Sequence, residues 1–153
     1  MAPIRLYNLT NLDIERKLIR PGQGKALHVV IGAEEVKNRE PLEYPLPPES
    51  VELVERYIRE FRPHLTSADN TALFPGVAGG PKNQAFLGTQ ITRTIYTHTG
   101  LHVHPHLFRH IAAKLFLDAN PGAYEVVRRV LGHRSIDSLE GIAGIASRAG
   151  VAG

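Results

Sequence analysis

A chain of 153 residues, 42% apolar and 22% charged, holds enough material for one domain with its own core and too little for two. No run reaches the roughly 18 apolar residues of a membrane helix; the start, Met1-Ala2-Pro3-Ile4-Arg5, lacks a signal peptide's basic-then-apolar order; and the absence of cysteine excludes disulfides and thiolate chemistry. Eighteen Lys and Arg against fifteen Asp and Glu give +3, which admits DNA as a partner without the lopsided charge of a bare basic patch.

Along the chain, Ile4, Leu6, Leu9 and Leu12 predict a short first helix within residues 1–12, and Pro21-Gly22-Gln23-Gly24 a turn. Leu27-His28-Val29-Val30-Ile31 reads as a strand through its β-branched residues. Leu42-Glu43-Tyr44-Pro45-Leu46 reads as the return strand of a hairpin, on a sheet edge because Pro45 has no amide to donate. The charged stretch from Glu34 to Glu40 joins the two. Val51, Leu53, Val54, Tyr57, Ile58 and Phe61 then fall on one helical face, ended by Pro63, and residues 63–82 read as loop. Phe86, Leu87, Ile91 and Ile95 mark the next helix, stopped by Gly100.

Pro105 is placed to open another helix with Leu107, Phe108, Ile111 and Leu115 as its apolar stripe. Asn120-Pro121 signals one more, with Tyr124, Val127, Val130 and Leu131 inward and Gly132 as terminator. The tail from Ile136 is rich in Ala, Gly, Ile and Ser, and its glycines weaken any helix there. The expected fold is mainly α with a small β-hairpin or sheet (α+β), in a single domain spanning residues 1–153.

Five of the eight histidines, His98, His102, His104, His106 and His110, fall within thirteen positions. His106 and Arg109, three apart, share one helix face about a turn from each other. Such a pair suits a phosphodiester: the guanidinium grips two oxygens at once and the imidazole donates a hydrogen bond or proton. His133 lies just past Gly132, where it can reach a neighbouring helix. Metal-dependent hydrolysis is the rival reading, with His102, His104, His106, His110 and His133 as ligands. Against it, Pro105 breaks the strand that would align His102 with His104, and no carboxylate lies among the histidines, so no metal is expected.

His106-Leu-Phe-Arg109-His110 followed by Leu131-Gly132-His133-Arg134-Ser135-Ile136-Asp137 resembles the catalytic domain of the tyrosine recombinases, the phage-integrase family, and the likeness runs from Arg5 to about Arg148. Arg5-Leu6-Tyr7-Asn8-Leu9 is similar to the family's first Arg-x-x-Glu-Leu helix, with Asn8 in place of the acidic residue. Val36-Lys37-Asn38-Arg39-Glu40-Pro41-Leu42 fits its hairpin lysine. The resemblance implies Arg5 and Arg109 as phosphate clamps, His106 and His133 in support, and Lys37 as general acid. It implies double-stranded DNA as partner, a possible homo-oligomer on DNA, no cofactor, and a cytoplasmic, nucleoid-associated setting.

Two departures qualify it. The family's nucleophilic tyrosine comes nine residues after the Leu-Gly-His histidine, and that position is Ile142. The five tyrosines are Tyr7, Tyr44, Tyr57, Tyr96 and Tyr124, with Tyr57 and Tyr124 at core spacing. The chain also starts four residues before Arg5, so a truncated domain with no N-terminal core-binding domain is expected. The function read from the sequence is an integrase-like domain for DNA recombination and integration that is deficient in strand cleavage. The alternative is a non-catalytic DNA-binding remnant or regulatory module.

Overall fold

The computed structural model describes residues 4–22, 26–36 and 39–131. Arg5 adopts extended backbone angles and leads into helix α1 (Leu6–Thr10). A short strand β1 (Leu18–Ile19) pairs antiparallel with β2 (His28–Ile31), which pairs antiparallel with β3 (Leu42–Pro45), in the order β1-β2-β3. Pro45 therefore sits on an edge strand, where a missing amide costs no ladder bond. The expected hairpin is present, and the third strand, β1, is too short to have left a periodic signal.

Helix α2 (Pro48–Arg56) begins with proline in its first turn and passes into a π-type turn at Tyr57–Phe61 and a 3-10 turn at Arg62–His64. The buried Arg62 guanidinium holds the next loop, donating to the Ala72 carbonyl at 2.9 Å and to the Asn70 carbonyl. Helix α3 (Gln84–Thr99) is capped by the Asn83 side chain, which accepts from the Phe86 amide at 3.1 Å. Gly100, at φ +71°, ends it in the left-handed conformation that glycine adopts without strain. Helices α4 (Pro105–Ala119) and α5 (Tyr124–Leu131) follow, and the whole is mainly helical beside one small sheet, as expected.

Two apolar clusters hold these pieces. The larger joins Leu12, Val29, Ile31, Val36, Tyr44 and Leu73, with Leu9 of α1, Val54 of α2, and Tyr57 and Ile58 of the π-type turn packed against it. The smaller joins Ala113, Val127 and Leu131, with Leu117 beside them, and fastens α5 onto α4. At the α1–α3 contact a Cβ added to Gly88 would lie 3.0 Å from the Leu6 side chain. The missing side chain is what lets α1 approach that closely.

Four expectations for the helices are corrected. The buried face of α4 is Arg109, Ala112 and Ala113, while Phe108, Ile111 and Leu115 are exposed at 43%, 38% and 56%. α5 packs on Ala113 through Val127 and Leu131, and the small Ala113 side chain admits a close approach that leaves the bulkier stripe outward. Asn120 is the C-terminal cap of α4 rather than the start of the next helix, and a turn separates it from α5. Tyr124, expected in the core, is 43% exposed, whereas Val127 and Leu131 do face inward. The α2 face likewise excludes Leu53 and Phe61, at 67% and 53% exposed. The tail from Ile136 lies outside the described residues.

Candidate phosphate-binding cleft

α1, α3 and α4 enclose a cavity of about 870 Å³, lined among others by Arg5, Tyr7, Arg93, Tyr96, His106 and Arg109. The Leu131 carbonyl, in the last residue of α5, accepts from Arg109 Nη2 at 2.7 Å and from Arg5 Nη2 at 3.3 Å. One acceptor thus gathers two guanidinium groups from residues 104 positions apart in the chain.

This pairing has an electrostatic cost. Burial, then the neighbouring Arg5 charge, pull the Arg109 guanidinium down to about 10, with Tyr44 acting the other way. Arg5 is also lowered, by burial. Arg109 stays cationic at neutral pH, because even about 10 lies well above 7, and a guanidinium such as that of Arg5 keeps its proton in proteins. Two cations held together by the fold attract an anion that relieves their repulsion, and the oxygens of a phosphodiester, like those of a carboxylate, match the forked guanidinium.

Tyr44 was missed as a site residue by sequence reasoning. Its ring belongs to the sheet core, it is 6% exposed, and it interacts electrostatically with both arginines. Burial pushes its phenol up to about 12, against the pull of Arg109 and Arg5. A buried phenol this reluctant to ionise is a poor nucleophile and a good neutral support. The alternation of β3 marked it as an inward residue, but nothing in the sequence tied it to Arg5 or Arg109.

The histidines of α4 cluster at its first turns. His104 caps the helix, its Nδ1 accepting from the Leu107 amide at 3.2 Å. His106 lies exposed on the cleft, with its Nε2 at 2.9 Å from Nε2 of His110 one turn on. The two rings meet edge to face at 4.5 Å, and the His104 ring lies 6.3 Å from His106. His102 stacks on Tyr96 at 4.2 Å. Among the described residues no three His, Cys, Asp or Glu side chains gather as a metal site. Of the six positions singled out from the sequence, Arg5, His106 and Arg109 are brought together, and Lys37, His133 and Ile142 lie outside the described residues.

A cleft between α1, α3 and α4 thus carries Arg5, His106 and Arg109 together. Residues 4–141 match the phage integrase family, and the chain belongs to it. The match ends one residue short of Ile142. No curated protein matches. Among solved structures the chain is similar to XerA recombinase, with 21% identity, 92% of this chain and 48% of that one covered, and a TM-score of 0.68. It is also similar to the XerH site-specific recombinase in pre-cleavage and post-cleavage complexes. The pre-cleavage structure, with difH substrate, gives 21% identity, coverage of 98% and 43%, and a TM-score of 0.71. The post-cleavage structure, with palindromic difH substrate, gives 21% identity, 97% and 40%, and 0.72. The chain thus spans less than half the length of these relatives and shares their fold.

Proposed function

We propose that this chain is a DNA-binding integrase domain that grips a backbone phosphate of double-stranded DNA between Arg5 and Arg109 and does not cleave the strand. The convergence of those two guanidinium groups on the Leu131 carbonyl carries the reading. Held by the fold before any ligand arrives, they meet the phosphate with little reorganisation, which is how a preorganised site stabilises charge. His106, on the same cleft, donates to a further oxygen. Lys37, which by sequence belongs to the β2–β3 connection, is the proposed general acid for the leaving sugar oxygen, and His133 a second imidazole at the phosphate. The XerH structures with difH substrate before and after cleavage support DNA as the partner and strand exchange as the ancestral chemistry. The cleavage deficiency follows from Ile142, whose hydrocarbon side chain cannot form a phosphate ester.

A gel shift on duplex DNA at increasing salt, paired with nicked suicide substrates, tests both halves. Binding is expected to weaken steeply with salt as counterions compete for phosphates. Arg5→Ala and Arg109→Ala are each expected to lose about 10- to 100-fold in affinity, the range of one charged hydrogen bond. Salt-independent binding, or no binding, overturns the DNA reading. A covalent protein–DNA adduct with the unaltered chain overturns the cleavage deficiency, since Tyr7 and Tyr96 also line the cleft.

A further inference from the structure

We propose that His110 is a positioning residue that fixes the tautomer of His106, so that the His106 ring offers its Nδ1–H to a phosphate oxygen. The inference rests on the phosphate-binding reading of the cleft for its purpose, though not for its geometry. At 2.9 Å the two Nε2 atoms share one hydrogen, and either ring could supply it. The second polar atom of His110 decides which. His110 Nδ1 is buried and has no hydrogen-bond partner among the described residues. A buried N–H without an acceptor is rarer and costlier in folded proteins than an under-used lone pair. The proton of neutral His110 therefore sits on Nε2, and Nδ1 keeps its lone pair.

It follows that His110 Nε2–H donates and His106 Nε2 accepts. A neutral His106 that accepts at Nε2 must carry its own hydrogen on Nδ1. That N–H is the polar hydrogen left to His106, whose exposed ring lines the cavity shared with Arg5 and Arg109. The neutral state of His110 is independently favoured: burial first, then His106, Arg109 and His104, lower its basicity. The arrangement resembles the way a second-layer partner fixes the tautomer of a metal-bound imidazole. Here the ligand is a phosphate oxygen and the partner is one helical turn away.

Long-range proton–nitrogen NMR of the histidine-labelled chain above pH 7 reads tautomers directly. His106 is expected in the Nδ1–H form and His110 in the Nε2–H form. His110→Gln, whose amide can donate from a similar place, keeps His106 in that form. His110→Leu, still folded by its backbone spectrum, releases it to the Nε2–H form and lowers affinity for inorganic phosphate roughly 2- to 10-fold, the range of one neutral hydrogen bond. An Nε2–H His106 in the unaltered chain, or a His106 tautomer untouched by His110→Leu, overturns the proposal. Failure of the unaltered chain to bind phosphate, with the tautomers as expected, removes the phosphate-binding reading instead.

Discussion

Asp13, in the segment after α1, accepts hydrogen bonds from the Glu15 and Arg16 amides at 2.9 Å and from the Thr71 hydroxyl at 2.6 Å. Burial works to raise its pKa, but these donors outweigh it and hold the carboxyl below its ordinary value of 3.8. A depressed carboxyl contributes stability that is present above the unfolded value and lost as pH falls through the folded one. Asp13→Asn is therefore expected to destabilise the chain by about 1 kcal/mol at pH 7, and by less at pH 3, in urea melts at the two values. Tyr44 has the opposite sign. Its phenol is raised to about 12, so its contribution is intact below 10 and lost as pH rises through 12. Ultraviolet titration should show late-ionising phenols, of which Tyr44→Phe removes the last while Tyr57, also raised by burial, remains.

At the scale of elements, the sequence disclosed which segments are helices better than which way they face. Pro105 and Gly100 mark their helix ends because each acts through its own backbone, with no help from tertiary contacts. The apolar count on α4 pointed to Phe108, Ile111 and Leu115, yet Ala112 and Ala113 are buried, because what packs there is decided by α5 and its reach. That Arg109 and His106 share a cleft was legible from their spacing. Its buried neighbour Tyr44 was not, since a strand and a helix that meet only in three dimensions leave no mark in one. Leu131, 1% exposed, both fills the smaller cluster and supplies the carbonyl for the arginines. Leu131→Ala keeps that carbonyl and is expected to cost about 2–5 kcal/mol in chemical denaturation. Phosphate affinity should fall with it through displacement of α5, whereas Val127→Ala should lower stability with less effect on affinity.

For the molecule as a whole, the proposed phosphate site predicts that stability depends on anions. An anion that binds the folded state alone stabilises it by about 1.4 kcal/mol at ten times its dissociation constant. For a chain of this size that corresponds to a rise of roughly 3–6 °C in the melting midpoint. Inorganic phosphate is expected to produce this rise and chloride at equal ionic strength to produce less, with both responses flattened in Arg109→Ala. A midpoint indifferent to phosphate would show that the pair is not an anion site.

The hydrogen bond from Arg5 to the Leu131 carbonyl joins residues 126 positions apart. A contact of that span closes a long loop and is among the slowest to form when a chain folds. The cleft is therefore expected to be completed late in folding, after the elements that carry Arg5 and Leu131 have formed. In a refolding experiment, phosphate affinity should return with the slowest phase, behind helical signal and core burial. On the proposed function, the anion would then serve as a clock for completion: a chain that binds it has finished folding, and one trapped short of that point is expected to miss DNA phosphates however much helix it contains.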